Sequence, residues 1–258
     1  MLTRDLLAKI RDKIRDNFSH FAKLEASYGK PITQAKWDVE ASIQVFDYYS
    51  QLDITNEHVK NVEIKNFPIG AVGLITSFNY PLLLTSWKLA PALLAGNTVV
   101  LKPSEKTPLS DLFLADLLKS DLPSGAFNVL LGDGTVGKAI TSHPDIGMIS
   151  FTGSSKVGKS IALDCAKRLI PYTLELGGKN AAIVFDGDIE KITDDIITGA
   201  FSNMGQNCCG ISRLFIKREI YQDVLNVLLK KAKRLVIGDP FDDRTYIGPL
   251  VDDYAFKN

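Results

Sequence analysis

Cysteine is scarce in this chain. Three occur in 258 residues, and Cys165 lies far from the adjacent Cys208 and Cys209, so no disulfide framework is available. His20, His58 and His143 all stand far from that pair and there is no C-x-x-C run, so the short paired spacings of a zinc site are missing as well. No sign of charge dominates: 30 Lys plus Arg balance 30 Asp plus Glu. No block of like charges marks a tail for nucleic acid or another polyanion. No uninterrupted apolar segment is long enough to cross a bilayer, and the opening MLTRDLLAKIRDKIRD is amphipathic and charged rather than a signal-peptide core. These absences predict a soluble, cytoplasmic protein without a nucleic-acid or membrane partner. With 45% hydrophobic and 23% charged residues, the chain has enough apolar material for one large domain or two smaller ones.

What the sequence has in quantity is periodic apolar residues. Leu7, Ile10, Ile14, Phe18 and Phe21 recur at steps of three or four, which predicts one helix ending before Gly29 and Pro31. Val39, Ile43 and Phe46 predict a second. VKNVEIKNFPIG alternates like an exposed strand, and after it come short apolar runs, AVGLIT, NTVVLK, FNVLL, GMISF and YTLEL, separated by helix-length segments. Runs that are apolar throughout are expected of parallel strands covered on both faces. The rhythm therefore predicts an α/β fold with an open, doubly wound, Rossmann-like parallel sheet, its ligand held by the loops that follow the strands. NAAIVF, a helix near Ile189 to Ser202, GISRLFIK and a helix from Glu219 to Leu235 carry the rhythm toward a second sheet.

One strand-to-helix junction reads in two ways. GSSKVGKS, from Gly153 to Ser160, fits the P-loop expression G-x-x-x-x-G-K-[ST] at every fixed position. On that reading backbone amides cradle phosphates, Lys159 reaches the terminal phosphates, Ser160 holds magnesium, and AAIVFD, ending at Asp186, supplies a metal-binding aspartate. A P-loop nucleotide hydrolase would leave GQNCCG, from Gly205 to Gly210, without a task. Two adjacent thiols are either small hydrophobes or one nucleophile beside a passive neighbour.

SFNYP from Ser77, VVLKPSEKTPL from Val99, FTGSSKVG from Phe151, LELGGKN from Leu174 and GQNCCGISR from Gly205 occur in that order. Together they resemble the aldehyde dehydrogenase superfamily, over a stretch running from about Leu6 to the last residues. The resemblance implies NAD(P)-dependent oxidation of a small aldehyde to a carboxylic acid. Cys208, two places after Gln206, matches the family's nucleophile, which passes through a thiohemiacetal and a thioester. Asn79 and the Cys208 backbone N–H match the donors to the oxyanion, and Glu175 matches the general base. Lys102 and Glu105 match contacts to the adenosine ribose, which favours NAD over NADP because a carboxylate repels a 2′-phosphate. Gly153 and Ser154 match pyrophosphate contacts at a helix N-terminus. Ser77, Phe78, Ser104, Gly137, Thr152, Val157 and Leu176 complete the cofactor positions that the resemblance implies, with Phe78 standing where many members have tryptophan. No metal is implied.

The resemblance divides the chain into a cofactor domain over 1–174, with N-terminal helices and a strand arm, and the start of a catalytic domain over 175–258. Family chains are nearly twice this length. Most of the catalytic domain, the glutamate of E-x-F-G-P and the C-terminal strand through which family members homo-oligomerise are therefore expected to lie outside these residues. Such a fragment is expected to catalyse poorly alone, and a binding-only remnant is the other reading within the family.

Overall fold

The computed structural model describes residues 4–54 and 57–257. The long N-terminal helix expected from apolar spacing is two helices, α1 (Arg4–Asp16) and α2 (Phe18–Ala26). The break falls at Asn17, whose side-chain Nδ2 donates to the Lys13 carbonyl at 2.9 Å, the local competition by which asparagine interrupts helices. Next comes α3 (Ile32–Gln51). The exposed strand expected at VKNVEIK is a hairpin, β1 (Glu57–Val59) pairing antiparallel with β2 (Val62–Ile64) around Lys60, which takes φ of 55°.

The alternation then becomes regular. The elements are β3 (Ala71–Ile75), α4 (Pro81–Leu94), β4 (Thr98–Lys102), α5 (Leu109–Leu118), β5 (Phe127–Val129), α6 (Gly134–Ser142), β6 (Ile146–Gly153), α7 (Ser155–Arg168) and β7 (Tyr172–Leu176). They form one sheet in the order β5-β4-β3-β6-β7, with β3 parallel to both β4 and β6, and β4 parallel to β5. The chain runs outward from β3 through β4 to β5, then crosses back to place β6 on the other side of β3. Right-handed crossovers put α4 and α5 on one face and α6 and α7 on the other, and each of these pairs packs together. Covered on both faces, Val72, Leu74, Val99, Leu101 and Ile149 are buried. The fold is thus a doubly wound α/β sheet.

Contacts group Met1–Glu25 with Lys36–Glu175 as one compact unit, and Ala26–Ala35 with Leu176–Asn258 as another. In the second unit β8 (Asn180–Val184) pairs parallel with β9 (Ile211–Ile216), and α8 (Ile189–Phe201) packs on α9 (Tyr221–Ala232). Asp188 caps α8 by accepting from the Glu190 amide at 3.0 Å. The helix expected over 219–235 is shorter, because a 3₁₀ turn at Arg218–Ile220 precedes it. Val184, Ile196 and Val224 form the core of this unit, with Ile192, Leu214 and Ile216 around them. The last helix is α10 (Asp253–Lys257).

Candidate active site

The strand order reverses between β3 and β6, and ligands of open α/β sheets bind beyond the carboxyl ends of the strands at such a point. A cavity of about 480 Å³ lies there. Ser77 and Phe78 reach it after β3, Lys102 from the last position of β4, and Ser104 and Glu105 after β4. Gly137 reaches it from α6, while Thr152, Gly153 and Val157 reach it across the junction of β6 with α7. Ser154 does not line the cavity; its Oγ accepts from the Val157 amide at 3.3 Å and caps α7. Leu176, the last residue of β7, does not line it either.

Within the cavity Lys102 is only 5% exposed, and its Nζ donates to the Pro103 carbonyl at 2.9 Å and to Glu105 Oε2 at 3.2 Å. Burial alone would raise the Glu105 carboxyl, but its own backbone amide and Lys102 bring it below the usual carboxylate range. Four lysines, Lys102, Lys106, Lys138 and Lys156, stand against Glu105 and Asp164, so the lining is net positive. Among the described residues the Thr76 and Thr152 hydroxyls, both belonging to residues of the lining, are buried with no hydrogen-bond partner, an arrangement that calls for a polar ligand. At Gly153 a Cβ would come within 2.4 Å of the Phe151 ring, so no larger residue fits.

The P-loop reading does not survive the fold. Strand β6 ends at Gly153 and α7 begins at Ser155, so most of GSSKVGKS is already helix, with the Gly158 amide bonded to the Ser154 carbonyl at 2.9 Å. A phosphate loop needs those residues free to wrap their amides around an anion. Lys159 is exposed and does not line the cavity, and Asp186 follows β8 in a different sheet.

Asn79 lies on the loop between β3 and α4, and its Oδ1 accepts from Ser77 Oγ at 2.6 Å, which fixes the plane of the amide and leaves Nδ2 as its donor end. Phe78 is held by Thr107 Oγ1, which donates to its carbonyl at 3.2 Å, and by the Lys106 ammonium 5.2 Å from its ring centre. Glu175 is exposed near the end of β7, two residues after Thr173 and therefore on the same strand face. Thr173 Oγ1 donates to Ser150 Oγ at 2.7 Å, and Lys88 Nζ donates to the same oxygen at 2.8 Å. Burial lowers the Lys88 ammonium to about 8, partly offset by attraction to Glu175.

In the second unit the two thiols follow an unusual turn. After α8, Asn203, Met204 and Gly205 take φ of 51°, 58° and 72°, three left-handed residues in succession. Only glycine adopts that region without steric cost, so hydrogen bonds must hold the other two. Gln34 Oε1 accepts from the Asn203 amide at 2.6 Å, and Gln206 Oε1 accepts from the Val251 amide at 3.1 Å. Asn180 on β8 donates to the Cys208 carbonyl at 2.7 Å. Cys208 is half-buried and Cys209 exposed, their sulfurs 3.7 Å apart. Burial pushes the Cys208 thiol up and the Cys209 sulfur adds to the shift, so a nucleophilic role at neutral pH calls for a base.

The sequence pattern of the aldehyde dehydrogenase family matches residues 3–258. This chain belongs to the aldehyde dehydrogenase family. Among aldehyde dehydrogenases it is 41% identical over 266 residues to retinaldehyde dehydrogenase 3 of Mus musculus, a match that covers 97% of this chain and 52% of that protein. It is 40% identical over 258 residues to betaine aldehyde dehydrogenase of Bacillus subtilis, covering 95% of this chain and 53% of the relative. The NAD+ complex of an aldehyde dehydrogenase from Bacillus cereus superposes with a TM-score of 0.96 at 36% identity, over 100% of this chain and 55% of that one. Betaine aldehyde dehydrogenase from Staphylococcus aureus in complex with NAD+ gives 0.94 at 33% identity, over 97% and 52%. The chain thus spans about half the length of the aldehyde dehydrogenases it matches. Among the described residues no helix is long and apolar enough to cross a membrane.

Lys138, Thr141, Ile161 and Asp164 also line the cavity, although no motif marks them. The signal was their spacing. With Gly134 and Gly137, the first two fall at i, i+3, i+4 and i+7 on α6, and Val157 heads the same kind of stripe on α7.

Proposed function

We propose that this chain carries the cofactor-binding region of an aldehyde dehydrogenase, over 1–174, and the nucleophile-bearing start of its catalytic region, over 175–258, and that its reaction is oxidation of a small aldehyde to a carboxylic acid. The observation that carries the reading is the cavity at the carboxyl ends of β3, β4 and β6, whose lining suits a dinucleotide. Lys102 and Glu105 present a donor and an acceptor to vicinal ribose hydroxyls. The positive lining and the N-terminus of α7 suit a pyrophosphate, and the unpartnered Thr76 and Thr152 hydroxyls await a polar group. The anionic Glu105 disfavours a 2′-phosphate, so NAD is the cofactor rather than NADP.

When bound, the nicotinamide supplies the hydride acceptor. Cys208 gives its thiol proton to Glu175, and the sulfur adds to the aldehyde carbon to form a thiohemiacetal. Asn79 Nδ2 and the Cys208 N–H donate to the oxygen on which negative charge develops. After oxidation the substrate is a thioester on Cys208; Glu175, having passed its first proton to solvent, takes a proton from the water that attacks the thioester, and the acid leaves as the Cys208 sulfur is expelled as thiolate. Cys209 takes no part in bond making. These roles follow the positions of the residues in the family motifs.

The test measures dinucleotide binding and aldehyde-dependent NADH formation in the wild type, Cys208→Ala and Cys209→Ala. All three should bind NAD, and oxidation should vanish in the first variant alone. Loss in the Cys209 variant instead would overturn the assignment of the nucleophile. Binding without oxidation in any form would establish a binding-only chain. Magnesium-dependent ATP hydrolysis abolished by Lys159→Ala would overturn the dehydrogenase reading altogether.

A further inference from the structure

The cavity is lined on one side by a stripe from each of two packed helices. Helix α6 contributes Gly134, Gly137, Lys138 and Thr141, and α7 contributes Val157 and Ile161 among others. Glycines on α6 and branched aliphatics on α7 leave a slot with apolar walls and little side chain in it, suited to a flat heterocycle. Such a slot has no need of charge. Yet Asp164, one turn beyond Ser160 on α7, also lines it, and its carboxylate is paired with the Lys138 ammonium across from α6.

That carboxylate is incompletely used. Its side chain is only 14% exposed, against 59% for Lys138, and the contact to Lys138 is made through Oδ2. Among the described residues Oδ1 has no hydrogen-bond partner, although a carboxylate accepts at both oxygens. An oxygen on a cavity wall to which the protein donates nothing is left open to a donor from another molecule. It therefore specifies a donor on whatever fills the slot. The ribose-binding pair Lys102 and Glu105 lies at the β4 end and the pyrophosphate site at the start of α7, which leaves the helix-walled slot for the purine.

We propose, resting on the cofactor reading above, that Asp164 reads the purine of the dinucleotide: its Oδ1 accepts a hydrogen bond from the exocyclic amine of adenine, and Lys138 holds the carboxylate in place. The site thereby takes an amino purine and rejects its deaminated counterpart, in which a carbonyl oxygen would face the carboxylate. Asp164 is a specificity-determining residue, and Lys138 positions it.

The experiment titrates the full chain with NADH and with reduced nicotinamide hypoxanthine dinucleotide, following the fluorescence of the bound dihydronicotinamide, so no turnover is needed. Wild type should bind the adenine form more tightly by a factor on the order of ten or more, the penalty for facing a built acceptor with the wrong group. Asp164→Ala should bring the two affinities together. Asp164→Asn, whose amide both donates and accepts, should also lose the preference, while Lys138→Met should weaken binding but keep it. A pair that only straps α6 to α7 predicts that Asp164→Ala and Lys138→Met weaken both dinucleotides in proportion, leaving the ratio at its wild-type value, and that result would overturn the proposal. Equal affinities in the wild type would overturn it while sparing the cofactor site. Failure of the wild type to bind either dinucleotide would remove the cofactor reading and this inference with it.

Discussion

The five-stranded sheet of the first unit and the two-stranded sheet of the second are built from similar side chains but bury them very differently. Leu101 and Ile149 are 0% exposed, whereas Ile183 is 65% and Phe215 is 55% exposed. In the first sheet helices cover both faces, so the apolar residues of β3, β4 and β6 are buried or half-buried, while the edge strand β7 exposes Tyr172. In the second, α8 and α9 cover the face of Val184, Leu214 and Ile216, while Ile183 and Phe215 look the other way. Apolar content alone therefore does not fix burial in this chain; the number of helical layers does. The contrast extends to the candidate site, since the cavity at the strand ends is walled wholly by residues of the first unit, while half-buried Cys208 lies in the second, just after a run of left-handed residues.

The largest effect that sharpens this contrast is on stability. Leu101→Ala should cost about 2–5 kcal/mol, the usual range for emptying a fully buried leucine site, while Phe215→Ala should cost well below that. Denaturant unfolding of the two variants would show it, and equal losses would mean that the outward face of β9 is covered in solution. A second difference concerns pH. Lys88 titrates near 8 when folded and at its ordinary 10.5 when unfolded, so below pH 8 its desolvation cost is fully present. Between those values the unfolded chain binds more protons, and stability rises with pH. The wild type should gain stability relative to Lys88→Met over that window, as read from unfolding midpoints at matched pH.

In the second unit Gln34→Ala removes both the acceptor for the Asn203 amide and the donor to the Tyr246 carbonyl. It should lower stability by about 1–2 kcal/mol and raise the rate of alkylation at Cys208, measured by mass spectrometry, as the turn loosens. The smallest effect on stability is expected from Phe215→Lys. Its unfolding midpoint should match the wild type closely, while light scattering should show less self-association, because a charge interrupts an exposed apolar face.

The sequence disclosed the strands because uninterrupted runs such as NTVVLK and GMISF have one structural explanation in a chain of this rhythm. It disclosed Lys102 and Glu105 because they follow such a run within a motif. Smaller features escaped for physical reasons. The break at Asn17 depends on one side chain bonding its own helix, and the reversal at Lys60-Asn61 puts lysine, rather than glycine or asparagine, at the position of positive φ. Lys138 and Asp164 look like ordinary surface charges until α6 and α7 bring them together. The left-handed run at Asn203 and Met204 is imposed by Gln34, a residue remote in sequence that no local pattern could connect to the turn.

The strand order also bears on how the molecule assembles. Pairing β3 with β4 joins Ala71 to Thr98, but pairing β3 with β6 joins Ala71 to Ile146, with two strands and three helices strung between them. The chain entropy lost in closing that loop is greater, and the reward arrives only when the distant strand docks. The cavity opens over this seam, so its walls come together only once the least local contact in the sheet has formed. A molecule held there grips β6 against β3 and β4 at once, fastening the seam whose closure comes hardest.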